Sequence, residues 1–435
     1  MSIHPIDYRY GSKEMRGIFE EETKLQLMLD VEAALSRAHA KLNHIPEEAA
    51  NEISKKANTK IVELERVKEI EEETKHDIMA VVKALAEKCK YGGYVHLGAT
   101  SNDINDTATA LQLKMALNIV LKDLKELEGI LKKLTRENIE KVCIGRTHGQ
   151  HSIPTTYGMK FGGFLDEIRR DIKRILEAKE SVRGKMAGAV GTMASFDDGI
   201  KLQKLVGEDL KIKMAKISNQ IVQRDIYAEI ISSLAILAST LDKIALEIRN
   251  LQRTEVMEIA EAFGKKQVGS STMPHKKNPI TSEKICGLAR VIYSNVIPAL
   301  LNNPLWHERD LTNSSCERVI IPETFILIDE MLKGIKNTLK NLVFYPENIE
   351  KNLNLLKGKN LAESVMIRLV KKGYDRQKAH ELLRIIAQKE GDFKENLMKN
   401  EIVRKYLTEK EIEESLDPKK YIGDAIEIVK GILEE

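Results

Sequence analysis

Residues 225–263 read DIYAEIISSLAILASTLDKIALEIRNLQRTEVMEIAEAF, a run that contains neither glycine nor proline. Apolar side chains recur in this run at intervals of three and four, which is the spacing of one face of an α-helix. They are Ile230, Leu234, Leu237, Leu241, Ile244, Ile248 and Leu251. At a rise of about 1.5 Å per residue, one helix over this run would extend to about 50 Å or more. A helix of that length needs packing partners along its whole length, so the run predicts a long-helix bundle.

Three other segments carry the same apolar pattern. They are Leu113, Leu117, Val120, Leu124, Leu127, Leu131 and Leu134; then Phe161, Leu165, Ile168, Ile172 and Ile175; and then Phe325, Ile328, Leu332, Ile335, Leu339 and Leu342. Spacing of this kind favours nearly aligned helix packing. We therefore predict an all-α fold with a central elongated bundle of long helices.

Glycine and proline mark the expected domain boundaries, at residues 91–93 and 344–346. We predict three helical domains: an N-terminal domain over residues 1–105, the central bundle over 106–345 and a C-terminal domain over 346–435. A coiled-coil scaffold without chemistry is the alternative, but it leaves the polar segments between the helices unexplained.

Composition excludes several classes of protein. The chain has 435 residues, of which 42% are apolar, so it is long enough for a sizeable core. Its charges nearly cancel to +3, which argues against nucleic acid or a membrane as a partner, although a phosphorylated metabolite needs only local positive charge. The four cysteines form no CxxC pair, so we expect neither a disulfide framework nor a zinc site. Residues 1–10 lack the apolar segment of a signal peptide, and no uninterrupted run of about 18 apolar residues occurs. These features predict a soluble cytoplasmic protein.

Residues 269–279 read GSSTMPHKKNP, a polar segment rich in donors and cations that we call loop 269–279. Asn278 followed by Pro279 has the form of a helix N-cap with proline at the first helical position. Two serines, lysine and the N–H groups of that helix would then converge on one point, which is typical of a carboxylate or phosphate site. A solvated basic connector is the alternative.

Three other polar segments interrupt the helical pattern. Residues 146–156 read RTHGQHSIPTT, and histidine suits the protonation of a leaving nitrogen because its ordinary pKa lies nearest neutrality. Plain surface histidines, or a zinc site for which no further ligand pattern exists, are the alternatives. Residues 74–77 read TKHD and are equally compatible with a solvated helix face. Residues 94–103 read YVHLGATSND and either cap the following helix or bind a dicarboxylate.

Loop 269–279 resembles the signature loop of the fumarase/aspartase superfamily. Together with Arg9-Tyr10, the two segments 74–77 and 94–103, and the stretch HERDLTNSSCER at 307–318, it makes the chain similar over nearly its whole length to the adenylosuccinate lyase family. The resemblance implies an almost wholly helical homotetramer, with a core formed by the central bundles and active sites shared between subunits. No metal or organic cofactor is implied, and no nucleic-acid or membrane partner.

The activity that the resemblance implies is that of a C–N lyase in purine biosynthesis. Its small-molecule substrates would be adenylosuccinate, which yields fumarate and AMP, and SAICAR, the succinylated carboxamide ribonucleotide that yields fumarate and AICAR. The alternatives are another fumarate-releasing lyase of the superfamily, a carboxymuconate cycloisomerase, or a structural helical tetramer without activity.

The resemblance also assigns six catalytic residues. They are His148, Ser271, Ser270, His76, Lys276 and Glu283. We expect His148 to be the general acid and one of the two adjacent serines to be the base, with Ser271 preferred. His275 is the chemical rival, because an ordinary histidine pKa is better matched to the task. Glu283 should lie one turn into the next helix and orient His148, unless it is merely a favourable acid in that turn.

The residues expected to bind the substrate share polar or cationic side chains that suit a succinylated nucleotide. They are Arg9, Tyr10, Lys75, His76, Asp77, His96, Thr100, Ser101, Gln220, Ser271, Lys276, Asn278, Arg309, Ser314 and Arg318. Arginine suits phosphate because its planar fork donates two hydrogen bonds at once. For Arg309 and Arg318 the alternative is surface salt bridging with neighbouring glutamates, and for Gln220 it is an ordinary helix N-terminus.

Overall fold

The computed structural model describes residues 4–264 and 266–435. Helices make up most of this part of the chain, which confirms the predicted all-α fold class. In chain order they are α1 Pro5–Tyr8, α2 Lys13–Phe19, α3 Glu21–Lys41, α4 Glu47–Lys56, α5 Leu64–Thr74, α6 Asp77–Ala86, α7 Ser101–Glu137, α8 Tyr157–Ser181, α9 Gly199–Asp209, α10 Asp225–Leu251, α11 Ile280–Leu301, α12 Thr312–Lys340, α13 Pro346–Leu353, α14 Ala362–Lys371, α15 Arg376–Gln388, α16 Phe393–Met398, α17 Glu401–Tyr406, α18 Glu409–Ser415 and α19 Ala425–Glu434. Short 3₁₀ turns lie at Gly92–Tyr94, Lys359–Leu361 and Pro418–Lys420.

Two small antiparallel ladders accompany the helices. Strands β1 (Val142–Thr147) and β2 (Gln150–Thr156) form a hairpin, with Val142 opposite Thr156 and an irregularity between Ile144 and Arg146. Strands β3 (Ile259–Ala260) and β4 (Val343–Phe344) pair Ile259 with Phe344. The hairpin spans residues 142–156 and so includes the segment 146–156, where the sequence had suggested only a polar loop.

The apolar seams predicted from the sequence are buried. Every seam residue of α10 is at most 5% exposed, and the seams of α7, α8 and α12 are buried except at one position each, where the side chain is half-buried. These three positions are Leu134, Ile172 and Leu342, of which Leu342 lies two residues past the end of α12.

The helix predicted over residues 225–263 is shorter in the structure. Helix α10 ends at Leu251, so its 27 residues span about 40 Å. Past this point Met257 has a φ of +40°, and the buried Glu258 carboxylate accepts hydrogen bonds from Arg146, Tyr157 and Asn352. Tertiary hydrogen bonds of this kind override a local helical preference, which is weak for a single stretch.

The chain divides into two compact units. The first consists of Met1–Lys125, Arg170–Leu241 and Ile285–Lys333, and the second of Glu126–Arg169, Asp242–Lys284 and Gly334–Glu435. These units do not test the predicted division into three domains along the sequence, which stays a prediction.

Each unit contains a hydrophobic core. In the first unit, buried side chains from α3 to α7 and α9 pack together, among them Leu29, Ile53, Ile78, Leu85 and Leu202. In the second unit, α14 to α18 form a smaller core that includes Leu369, Leu383, Phe393, Val403 and Ile412.

Within the described residues, α11 is the one helix long and apolar enough to cross a membrane. Only 39% of its most apolar window is buried. Core helices of water-soluble proteins pass the same test, so this single helix is weak evidence for a membrane span.

Candidate active site

Two adjoining cavities in the first unit bring many of the predicted substrate residues together. They have volumes of about 380 and 390 Å³ and share Asn102, Asn105, Arg309, Ser314 and Arg318 as lining residues. The predicted residues that line the second cavity are Lys75, His76, Asp77, Ser101, Arg309, Ser314 and Arg318. We call the two spaces together the cationic cleft.

The segment 75–77 enters the cleft between two helices. Lys75 ends α5 in a left-handed conformation, with a φ of +54°, and its side chain is exposed. The Nδ1 atom of His76 accepts a hydrogen bond of 3.3 Å from the Met79 N–H and caps α6, so the Nε2 atom carries the proton of a neutral ring. Asp77 accepts a hydrogen bond of 2.8 Å from Arg318 on α12. Residues 75–77 and 318, far apart in sequence, therefore form one polar group.

Arg309 lies between two side-chain amides. It donates hydrogen bonds of 2.9 Å to Asn102 and 3.2 Å to Gln220. Its buried Nε atom has no hydrogen-bond partner among the described residues. Burial lowers the pKa of Arg309. The described residues thus leave one donor of the Arg309 guanidinium unsatisfied.

A buried ion-pair cluster forms the wall beside Arg309. Arg224 donates to both carboxylate oxygens of Asp106, at 2.8 and 2.9 Å, and to Glu317 at 2.8 Å. Burial on its own would raise the pKa of Asp106, but the charge and hydrogen bonds of Arg224 hold it below its ordinary value. Asp106 and Glu317 are therefore occupied by Arg224.

His96 is fixed by a carboxylate that the sequence analysis did not single out. Its Nδ1 atom lies 2.6 Å from Glu32 on α3, and its backbone N–H donates to the other oxygen of Glu32 at 3.1 Å. Burial opposes the charge of His96, but the hydrogen bond to the fully buried Glu32 raises its pKa above the ordinary value. The neighbouring Thr100 donates its N–H to Asp103 at 2.8 Å.

Arg9 and Tyr10 do not line either cavity within the described residues. Arg9 is exposed and Tyr10 is half-buried just after α1. The Tyr10 carbonyl accepts a hydrogen bond of 3.3 Å from Arg16. In a single chain these two residues are therefore not joined to the cationic cleft.

In the second unit, His148 lies at the tip of the hairpin. His148 and Gly149 have φ angles of +54° and +74°, as in a type I′ turn, and His148 is exposed. Below it, Arg146 donates a hydrogen bond of 2.5 Å to the fully buried Glu258. His151 is half-buried, and burial, with Arg146, lowers its pKa. The hairpin thus presents one histidine to solvent and encloses the other.

Loop 269–279 is held by a few hydrogen bonds. The Asn278 amide donates to the Gly269 carbonyl at 2.9 Å, which joins the two ends of the loop. The Ser270 hydroxyl accepts the N–H groups of Thr272 and Met273 at 3.3 and 3.1 Å. Ser271 is exposed, and its hydroxyl lies 3.4 Å from that of Thr272.

A cavity of about 830 Å³ lies beside the loop in the second unit. Its lining includes His275, Lys276, Asn278 and Glu283. Of the catalytic residues predicted in this unit, Lys276 and Glu283 therefore share one cavity.

The anion site predicted at the start of α11 was wrong in its main feature. The helix begins at Ile280, with Pro279 rather than Asn278 before it, and Glu261 accepts the N–H groups of Thr281 and Ser282 at 3.2 and 2.6 Å. A carboxylate of the chain itself already occupies the positive end of the helix. An anion site in loop 269–279 therefore stays a prediction, and it rests on the side chains of the loop rather than on the helix N-terminus.

The predicted catalytic groups of the second unit are not joined to one another in a single chain. Among the described residues, no hydrogen bond connects His148 to Ser271, Lys276 or Glu283. Residues 4–264 and 266–435 also contain no group of three or more His, Cys, Asp or Glu side chains that could hold a metal ion. The prediction that no cofactor is needed stays a prediction.

Comparison with known proteins decides the family. A protein-family model described as lyase matches residues 7–294, and a family model described as adenylosuccinate lyase C-terminus matches residues 358–432. Adenylosuccinate lyase of Pyrococcus abyssi is 65% identical over 100% of this chain and 98% of its own length. The chain belongs to the adenylosuccinate lyase family. Another member, from Archaeoglobus fulgidus, is 48% identical over 100% of this chain and 98% of its own length.

Solved structures confirm the superfamily. A fumarate lyase from Mesorhizobium sp. BNC1 superimposes with a TM-score of 0.90 at 29% identity, over 98% of both chains. A 3-carboxy-cis,cis-muconate lactonizing enzyme from Pseudomonas putida also gives 0.90, at 28% identity, over 99% of this chain and 98% of that one. The resemblance drawn from the motifs is confirmed, and this member of the adenylosuccinate lyase family is a lyase. The full-length relatives favour this interpretation over the cycloisomerase and structural alternatives.

Several residues that shape the site were missed from the sequence. They are Lys24, Glu32, Asp106, Arg224, Glu258 and Glu261. Glu32 gave one available signal, because it is a charged residue between apolar Val31 and Ala33 on the buried face of α3. For the others, only the folded chain brings the partners together.

Proposed function

We propose that this lyase eliminates fumarate from adenylosuccinate to leave AMP, and from SAICAR to leave AICAR. The observation that carries this proposal is the cationic cleft, where Arg309 and Arg318 lie with Ser314 beside the polar segment 75–77. Two guanidinium groups and a hydroxyl suit a nucleotide phosphate, because bidentate hydrogen bonds from arginine match its geometry.

The reaction begins with removal of a proton from the carbon next to a carboxylate. We assign this step to Ser271, which is exposed on loop 269–279 and free to reach a substrate. Ser270 is the alternative, because its two N–H donors would stabilise an alkoxide on that residue. His275 remains the chemical rival. Lys276 and Asn278 stabilise the doubly charged carboxylate that forms, because donors placed around a carboxylate stabilise the negative charge that develops on it in the transition state.

Cleavage of the C–N bond then leaves a nitrogen that needs a proton. His148 at the tip of the hairpin donates it, and Glu283 orients His148 in the assembled enzyme. His76 carries a proton on Nε2 at the edge of the cleft and contacts the substrate there. Gln220 accepts a hydrogen bond from Arg309 and so lies beside the same part of the cleft.

Further substrate contacts come from residues outside this cluster. His96 and Thr100 lie just before α7 and Ser101 begins that helix. We assign to these three residues the binding of the succinyl carboxylates. Arg9 and Tyr10 close over the nucleotide when a second chain is present.

We infer that the active form is a homotetramer in the cytoplasm whose active sites take residues from different chains. Exposed apolar side chains on α10 and α11 support this arrangement. They are Ile236, Leu246, Ile280, Ile297, Leu300 and Leu301. Covering these side chains in a core of central helices would stabilise the tetramer.

Subunit complementation tests the shared site. The variants Ser271→Ala and His148→Ala are each expected to be inactive. The two are mixed, dissociated with mild denaturant and reassembled. If different chains supply the two groups, a mixed tetramer contains intact sites and recovers a part of the original turnover. Each variant reassembled alone is the control. Mixed tetramers without any recovery would mean that one chain supplies both groups.

A further inference from the structure

Lys24 lies in the first turn of α3, where a positive charge is unfavourable to the helix. Residues Glu21 and Glu22 in that turn suit the helix dipole, but the amine of Lys24 opposes it. The side chain is half-buried and lines the cavity of about 380 Å³ in the cationic cleft. Because this cation destabilises its own helix and lines a cavity, we expect it to make a compensating interaction there.

The carboxylates that line this cavity are already occupied. Asp106 and Glu317 both bind Arg224, at 2.8 Å each. Glu21 binds Lys68 at 2.6 Å. None of these three acids forms an ion pair with Lys24 in the described chain.

The cations of the cavity outnumber its free acids. Arg318 is paired with Asp77 at 2.8 Å, and Arg224 has its two carboxylates. Lys24 and Arg309 have no carboxylate partner among the described residues, and the buried Nε of Arg309 has no partner of any kind. The two carboxylates bound by Arg224 together carry one negative charge more than Arg224, so the cavity keeps a net excess of about one positive charge. Lys24 and Arg309 are the cations with which no carboxylate of the described chain is paired, and a local positive excess of this kind favours an anion.

The ionisation of Lys24 agrees with this geometry. Burial lowers its pKa, and the nearby Arg318 lowers it further. The carboxylates that face the amine act in the opposite direction without cancelling the effect: Asp77, Glu317 and Glu71. A bound dianion would favour the charged amine.

From this arrangement we infer that Lys24 is a binding residue for the phosphate of the nucleotide, acting with Arg309 and Arg318. The inference rests on the proposed function, because it places the nucleotide in the cationic cleft. It adds a third cation from α3, on a different part of the chain from the two arginines. Lysine contributes here as a compact point charge, whereas the arginines supply planar donors.

The test compares AMP with adenosine, which lacks the phosphate, by ligand-observed NMR titration of the full-length enzyme. This readout records weak binding and does not depend on turnover. Lys24→Met should weaken AMP binding by about tenfold to a hundredfold, the range for one hydrogen bond to a charged group, and leave adenosine within about twofold. Lys24→Arg should retain most of the AMP affinity. Lys41→Met, at the exposed end of the same helix, is the matched control.

Arg318→Met separates failure of this inference from failure of the proposed site. If Arg318→Met weakens AMP binding and Lys24→Met does not, Lys24 is no phosphate ligand while the cleft remains the nucleotide site. If neither variant affects AMP, the nucleotide does not bind in the cleft and both proposals fall. An equal loss of AMP and adenosine in Lys24→Met would assign the residue a structural role and overturn the inference.

Discussion

Arg318 on α12 donates a hydrogen bond of 2.8 Å to Asp77 at the start of α6, across 241 positions of sequence. The two side chains are 57% and 34% exposed, so the pair contributes little to stability. The pair lies beside His76 and Ser314 in the cationic cleft, so we assign it a role in substrate binding rather than in stability. Asp77 fixes the direction in which Arg318 presents its remaining donors.

Substitution of this pair should affect binding more than folding. Arg318→Met should raise the KM for adenylosuccinate by about tenfold to a hundredfold, because a charged donor to the phosphate is lost. Asp77→Asn should raise it by only about threefold, since Arg318 remains but is less well oriented. Steady-state kinetics and thermal unfolding check both effects. A large drop in Tm with an unchanged KM would identify the pair as structural.

The proposed base and acid should each be indispensable for turnover. Ser271→Ala and His148→Ala should lower kcat by about a thousandfold or more, in line with the loss of proton-transfer catalysis. Helicity and assembly should stay intact, because both side chains are exposed. Circular dichroism and size-exclusion chromatography provide that control.

Ser270→Ala separates the two serines. A loss in Ser270→Ala alone, with Ser271→Ala near normal, would move the base to Ser270 and its two N–H donors.

Glu258 should be essential to the stability of the second unit. Its fully buried carboxylate accepts hydrogen bonds from Arg146, Tyr157 and Asn352. Glu258→Gln should cost about 3 kcal/mol, because it leaves the Arg146 charge without its partner. Denaturant unfolding measures this loss, and Glu255→Gln, at a site 74% exposed, should change stability little. Equal stability of the two variants would contradict the role assigned to Glu258.

The pair of His96 and Glu32 should make stability depend on pH. The folded pKa of His96 is raised, so the pair contributes fully below the unfolded pKa of about 6.5 and its contribution is lost as pH rises through the folded value. Glu32→Gln should cost about 2 kcal/mol at the acidic end of this window and progressively less above it. Urea unfolding from pH 6 upward, with Glu22→Gln on the same helix as control, checks the slope. A constant difference across the range would show that His96 does not titrate against Glu32.

The sequence was sufficient for the helical architecture because burial follows the apolar period. All but three residues of the four seams are buried where the spacing placed them, Leu237 and Leu332 among them. It was not sufficient for the end of α10. There, hydrogen bonds to Glu258 from distant residues outweigh the helical preference of the stretch after Leu251.

The site could be predicted where a motif carries its own signal. Lys75, His76, Asp77, Arg309 and Arg318 were assigned through the resemblance to the family, and they line one cavity in the structure. Their roles stay a prediction. Glu261 shows the limit, since no local pattern reveals that its carboxylate caps α11 from 20 positions away.

The most direct test of the account is a turnover assay on the purified protein. Adenylosuccinate is added and the formation of AMP and fumarate is followed, with argininosuccinate, aspartate and malate in parallel. We predict rapid release of both products from adenylosuccinate and none from the other three. Turnover of another succinate without adenylosuccinate would preserve the elimination chemistry and contradict the nucleotide site, and no turnover of any of the four would contradict the proposed function as a whole.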